Sequence, residues 1–291
     1  MPIWEAVLLG IIQGVTEFLP ISSTAHLIVA RKLMGHAHAE DAFTVVIQLG
    51  TLAAVFAYFR ADIARMLAGL WSDLRTRTLA STPDSRLGWF IVLGSVPAGL
   101  IGFFFKSWLK ATFFNPASIA IVAVVFALLM ALSEWWAKRR ATRGLTPREE
   151  GAITWRDALW VGVWQACALM PGGSRSGTTI TGGLFAGLAR PAAARFSFLL
   201  SLPAILGAGT KELYDEYKKL RTPKEGEPPS LFASDEHVTA LIVGSLVSAV
   251  VGYLAIAFLL GFLKRYNMGV FVAYRLLLAA AIFALIAWGV L

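Results

Sequence analysis

Charge is scarce in this sequence. Asp, Glu, Lys and Arg make up 15% of its 291 residues, and 57% are hydrophobic. Soluble globular domains carry about 25% charged residues, so water cannot be the main solvent of the folded chain. Cysteine is nearly missing as well. The single Cys167 excludes an intramolecular disulfide and, lying in an apolar stretch, says nothing about redox compartment. There is also no basic start before the first apolar run, which carries Glu5, Gln13 and Glu17 and lacks a small-residue cleavage site. The first segment is therefore expected to stay in the mature protein.

What is present is a series of apolar blocks long enough to cross a hydrocarbon core, which takes about 20 helical residues. The pattern predicts an all-α polytopic membrane protein, one membrane domain over 1–291, with crossings at 43–59, 87–105, 117–137, 196–210, 238–260 and 268–290. Two further blocks, 3–34 and 158–189, are broken at the centre, by Pro20-Ile21-Ser22-Ser23-Thr24 and by Pro171-Gly172-Gly173-Ser174-Arg175-Ser176-Gly177. Irregular backbone at membrane depth survives only inside protein or beside a wet cavity, so each block reads as a re-entrant helical hairpin.

The two halves of the chain resemble each other. Leu9-Gly10-Ile11-Ile12-Gln13 recurs as Val161-Gly162-Val163-Trp164-Gln165, and Ile91-Val92-Leu93-Gly94-Ser95 as Leu241-Ile242-Val243-Gly244-Ser245. The shift stays close to 150 throughout. Each copy, 1–137 and 158–291, holds one hairpin and three crossings, an odd number, so the second copy is inverted relative to the first across a linker at 138–157. Inverted repeats with broken helices bring their interruptions together near the bilayer midplane.

The net charge of +8 sits mainly in loops that flank apolar blocks, which points to lipid headgroups and topology selection, with no nucleic acid as partner. Loops at 60–86, 138–157, 190–195 and 264–267 hold 15 Lys and Arg, against nine at 31–42, 106–116 and 211–237. The positive-inside rule makes the richer side cytoplasmic and puts both termini outside. Small-residue faces such as Gly94-Ser95 suit helix packing within one chain or between two, so a homodimer is compatible with the pattern.

The chemistry-bearing residues gather at the two breaks. Gln13 and Glu17 share a helix face just before Pro20. An ionisable Glu17 at this depth needs a partner: a basic residue, a metal, or a base that it orients. Ser22, Ser23 and Thr24 precede a helix whose first turn carries His26. Capping explains one hydroxyl of the three, and the helix N-terminus is a ready anion site. At the second break Gly172 and Gly173 let backbone approach a ligand. Arg175 offers a planar fork suited to phosphate oxygens or to an ion pair with Glu17. His36, His38 and His237 read as solvated loop residues. A hydroxyl nucleophile, a histidine, a carboxylate, an arginine and two helix N-termini together suit phosphoryl transfer. No lysine follows the glycines as in a Walker A loop, and there is no G-x-S-x-G elbow.

The stretch from Gln13 to His26, with Pro171-Gly172-Gly173-Ser174-Arg175-Ser176-Gly177-Thr178-Thr179, closely resembles the two signature motifs of the bacterial undecaprenyl-diphosphatase family associated with bacitracin resistance. The resemblance covers essentially the whole chain. It implies a multi-pass protein of the bacterial inner membrane that hydrolyses undecaprenyl diphosphate to the monophosphate carrier of cell-wall precursors, so that membrane lipids and the polyprenyl diphosphate are its partners. Carried over residue by residue, it implies Ser23 as nucleophile, with Ser22 or a direct attack by water as alternatives, and His26 as base or later acid. Arg175, Ser22, Thr24, Ser174, Ser176, Thr179, Gly172 and Gly173 would hold the diphosphate. Glu17, with Gln13, would bind Mg2+ or Ca2+ or orient His26. The family has Glu or Gln at the first of these positions; Gln13 leaves one carboxylate fewer and makes metal binding more dependent on Glu17. A transporter or lipid flippase is the rival class, since paired hairpins in inverted repeats are also transporter architecture.

Overall fold

The computed structural model describes residues 1–35, 42–223 and 230–291; His36 and His38 lie outside them. Twelve α-helices and one short 3-10 turn make up the regular structure of those residues, with no strand. The first broken block is α1 (Ile3–Phe18) and α2 (Ser23–Leu33), and the second is α8 (Trp155–Cys167) and α9 (Arg175–Phe185). Both breaks fall where proline, glycine and hydroxyl residues interrupt the apolar pattern.

The long helices are α6 (Pro83–Phe113), α7 (Pro116–Thr142), α10 (Arg190–Arg221), α11 (Asp235–Leu263) and α12 (Gly269–Ala287). Each has an apolar stretch long enough to cross a membrane. Their starts are set locally. Pro83 and Pro116 occupy first turns, where a missing N–H costs nothing. The side chains of Thr82, Asn115 and Ser234 accept from the backbone N–H groups of Ser85, Ser118 and His237. His237 thus lies in the first turn of α11, half-buried, and not in a solvated loop.

The crossing expected at 43–59 is α3 (Ala42–Val46) followed by α4 (Gln48–Tyr58). It meets α5 (Arg60–Thr76) at a bend of 82°, so this pair supplies a sixth apolar span only if the two arms count as one. The segment 60–86, expected as a loop, is therefore largely helical. Ile63 and Met66 face inward, while Asp62 pairs with Arg195 of α10 at 3.0 Å, so a charged surface conceals an amphipathic helix. Likewise α6 runs on to Phe113, α7 to Thr142 and α10 to Arg221, shortening the loops expected at 106–116, 138–157 and 211–237.

Packing crosses between the halves of the chain. The first arm of each broken block lies against a long helix of the other half, α1 on α11 and α8 on α6. Both contacts are backbone to backbone. A Cβ on Gly10 would lie 2.6 Å from the carbonyl oxygen of Gly244, and one on Gly162 would lie 2.3 Å from that of Gly94. Gly94 is therefore used within the chain. Further packing joins α4 to α11, α10 to α6, and α12 to α7. A cluster built on Phe18, Phe59, Phe196, Phe198 and Leu199 forms the largest core, and it takes in Ile21 of the first break.

Candidate functional site

The two breaks meet. Leu19 of the first break accepts a hydrogen bond from the Ser176 hydroxyl at 3.1 Å, and Arg175 Nη2 reaches Glu17 Oε1 at 2.9 Å. These residues stand 157 and 158 positions apart, so only the cross-packing of the halves unites them.

The turn geometry is the same in both breaks. Ser22 and Ser174, each the cap of the helix that follows, adopt φ of 74° and 66°, a region that L-residues rarely occupy. Their hydroxyls accept from the N–H groups of Ala25 and Gly177. Each serine thereby offsets part of the strain by capping the new helix. Ser22 is committed by this role: it is buried, and its carbonyl accepts from His26 Nδ1 at 2.7 Å.

Ser23, the next residue, is in a different situation. It is half-buried and its Oγ donates to Glu17 Oε2 at 3.1 Å. The same carboxylate oxygen accepts from Gln13 Nε2 at 3.1 Å. Glu17 is therefore the hub of the site, gathering a hydroxyl, an amide and a guanidinium, and it is 8% exposed. A carboxylate so deep survives because its charge is paired and its lone pairs are filled. Arg175 also donates to the Ser197 carbonyl at 3.2 Å and lies over the ring of Phe18.

Several of the residues read as diphosphate ligands make hydrogen bonds that hold the turns together. Thr179 is fully buried, donating to the Arg175 carbonyl at 2.7 Å and sharing a 2.6 Å hydrogen bond with the Ser197 hydroxyl. Ser176 is fully buried on Leu19 and 3.3 Å from the Ser174 hydroxyl. Gly172 has φ of +94°, and a Cβ there would meet the Ile119 carbonyl of α7 at 2.3 Å. Its missing side chain admits a helix backbone. Thr24 remains half-buried on the first turn of α2.

Two residues of α12 that sequence reasoning passed over complete the arrangement. Arg275 is fully buried. Its Nη1 donates to the carbonyls of Pro20 at 3.3 Å and Gly173 at 3.0 Å, and its Nη2 to Gly172 at 2.8 Å and Ala123 at 3.3 Å. One guanidinium thus satisfies backbone carbonyls of both breaks, which helical hydrogen bonding leaves open. An arginine inside the last apolar block was the available signal, since a charge at that depth marks function or a buried partner. Next to it, Tyr274 places its hydroxyl 2.7 Å from His26 Nε2, with the two ring planes nearly parallel and their centroids 5.6 Å apart.

His26 therefore faces α12, while Ser23 faces Glu17. Among the described residues no group of three or more His, Cys, Asp or Glu is placed to hold a metal ion. Glu17 stands as one carboxylate, with the buried Oε1 of Gln13 nearby lacking a hydrogen-bond donor. The starts of α2 and α9 add the positive potential of a helix N-terminus, and Arg175 is itself the first residue of α9. Chemically, the site offers a hydroxyl beside a base and a cationic fork beside two helix N-termini, which is suited to a hydroxyl attacking an anionic phosphorus centre.

Comparison with known proteins points the same way. A model of the family described as bacitracin resistance protein BacA matches residues 6–281. A protein of Prosthecochloris aestuarii named undecaprenyl-diphosphatase is 43% identical over 289 residues, covering 99% of both chains. Proteins of the same name from Chlorobium phaeobacteroides and Chloroherpeton thalassium are each 43% identical, covering 100% and 99% of this chain and 99% and 98% of their own lengths.

Proposed function

The chain belongs to the family of the bacitracin resistance protein BacA, and on that footing we propose that it hydrolyses undecaprenyl diphosphate to undecaprenyl phosphate and phosphate. It is a multi-pass protein of the bacterial inner membrane. Its activity recycles the lipid carrier of cell-wall synthesis and confers resistance to bacitracin. The observation that carries the reading is the convergence of Ser23, Glu17 and Arg175, from two breaks far apart in sequence, at one point within the membrane domain. The test is phosphate release from undecaprenyl diphosphate by the purified protein in detergent, with Ser23→Ala beside the native chain. Release by the native protein that Ser23→Ala abolishes supports both the activity and the nucleophile. No release by well-folded native protein would move the site to the transporter class.

The architecture we assign is a pair of inverted repeats, each with a re-entrant hairpin. Support comes from the exchanged packing: Gly10 on Gly244 and Gly162 on Gly94 are the same contact with the halves interchanged. Ser22 and Ser174, 152 positions apart, repeat one strained cap. Arg275 also lies 152 positions beyond Ala123, whose carbonyl it contacts, as a residue beside a two-fold axis would.

In the mechanism, Ser23 Oγ attacks the terminal phosphorus as its proton passes to Glu17 Oε2. The bond between that phosphorus and the bridging oxygen breaks, and undecaprenyl phosphate leaves. Arg175, released from Glu17 as the carboxylate takes up the proton, neutralises the equatorial oxygens together with the N-termini of α2 and α9. Water then cleaves the phosphoserine. Glu17 is the base because it is the group that the Ser23 hydroxyl touches.

The oxygen donors fit Mg2+ or Ca2+ chiefly as a companion of the substrate. Such cations are commonly held by one or two carboxylates with substrate phosphates and water completing the shell. Until it takes up the Ser23 proton, Glu17 would supply the carboxylate, and Gln13 Oε1, buried with no donor, a second oxygen. Bound there, the cation would neutralise diphosphate charge.

A further inference from the structure

We propose that Tyr274 is a proton-relay residue of this reaction, acting through His26 in the second, dephosphorylating half; the proposal rests on the phosphatase reading above. The Ser22 carbonyl can only accept, so the 2.7 Å contact requires the proton to be on His26 Nδ1. In the neutral ring Nε2 is then an acceptor, and the Tyr274 hydroxyl, 2.7 Å away, is its donor. Both nitrogens are engaged, and neither is bonded to Ser23, whose hydroxyl goes to Glu17.

Proton accounting gives this pair a role. In the first half Ser23 passes its proton to Glu17, and the departing lipid phosphate takes none. Water attacking the phosphoserine must lose a proton to a second base, because Glu17 now carries one. His26 is the remaining neutral base among the site residues described above. The water's proton passes to the phenol oxygen while the phenol's own proton passes to Nε2. The bond from phosphorus to Ser23 Oγ breaks, and that oxygen recovers its proton from Glu17. The imidazolium, donating from Nε2 back to the phenol oxygen and from Nδ1 to Ser22, returns its extra proton to solvent. Tyr274 suits the task because a phenol donates to one form of the ring and accepts from the other. It sits at the level of the breaks, since its neighbour Arg275 bonds to carbonyls of both, and it is 42% exposed. The hydrogen bond to Nε2, with the two ring planes nearly parallel, fixes its orientation.

Tyr274→Phe keeps the ring and removes the relay. With the native enzyme as reference, a rapid-mixing assay of undecaprenyl phosphate and inorganic phosphate should show a burst of about one equivalent of lipid product in Tyr274→Phe. Phosphorylated Ser23 should accumulate, with turnover at least about 100-fold slower, the lower bound of a typical general-base contribution. Adding Tyr274→Phe to His26→Gln should slow that variant no further. Native turnover without a burst in Tyr274→Phe, or a loss shared equally by both halves, would overturn the proposal. Independently of activity, 15N spectra of the imidazoles in the detergent-solubilised protein should show His26 protonated at Nδ1. Protonation at Nε2 in the neutral ring would overturn it too. A native enzyme that releases no phosphate from the lipid, with His26 protonated at Nδ1, would instead sink the phosphatase reading on which the relay depends.

Discussion

Arg175 and Glu17 form an ion pair at 2.9 Å between the first turn of α9 and the last turn of α1. Each is the other's counter-charge, and in the proposed mechanism the diphosphate gives Arg175 a second partner. On that reading the pair keeps both charges tolerable at depth until Glu17 takes the Ser23 proton and frees Arg175.

Arg175→Lys retains charge but loses the fork. We expect phosphate release to fall at least about tenfold, as one bond of a bidentate charge-assisted contact is lost. Glu17→Gln should be more damaging, because the amide cannot take the proton of Ser23; a loss of about 100-fold or more is expected. Steady-state assays on both variants check the order, and equal losses would argue that Glu17 serves only to hold Arg175.

Arg275→Met should leave carbonyls of Pro20, Gly172, Gly173 and Ala123 without their buried donor, each at a cost of about 1–3 kcal/mol. Thermal unfolding in detergent should shift clearly downward, and activity should fall because the two breaks lose their common anchor. An unchanged melting temperature would show that lipid, water or neighbouring groups replace the guanidinium.

Where a Cβ on Gly162 would meet backbone at 2.3 Å, Gly162→Ala should force α8 away from α6 and destabilise the protein by about 1–3 kcal/mol. Gly99→Ala, on the same long helix α6 but with open space around its Cβ, is the control and should unfold close to the native temperature. Similar stability of the two variants would place the helix contact elsewhere.

With one carboxylate among the proposed ligands, a divalent cation should bind measurably only with the diphosphate. Calorimetric titration of Mg2+ or Ca2+ into the substrate-free protein should give no saturable signal at micromolar concentrations. Chelator should slow phosphate release, and added cation should restore it. Full activity in chelator would remove the cation from the site.

Much of this was legible in sequence because the bilayer makes interruptions conspicuous. Pro20 and Pro171-Gly172-Gly173 announced both breaks, and Glu17 and Arg175, charged and adjacent to them, could be assigned a common centre. What escaped notice depends on three-dimensional pairing. The Tyr274–His26 contact spans 248 positions, and Arg275, a lone cation inside an apolar run, was passed over. Ser176 and Thr179 were read for their hydroxyls near an arginine, which suit phosphate; that the same hydroxyls also serve carbonyls of a crowded turn is visible only in the structure. Helix α5 was hidden by Arg60, Asp62 and Arg65, of which Asp62 pairs with both Arg65 and Arg195, leaving Ile63 and Met66 as the apolar marks of the buried side.

The glycine contact between α1 and α11 has a consequence for how the protein is made. The ribosome releases Gly10 more than two hundred residues before Gly244, and Glu17 long before Arg175. Until those partners emerge the first broken block has neither its guanidinium partner nor its glycine packing surface. Such delayed closure is the condition in which nascent chains misassemble. A newly inserted N-terminal half has every incentive to remain in the care of the insertion machinery until its C-terminal counterpart emerges.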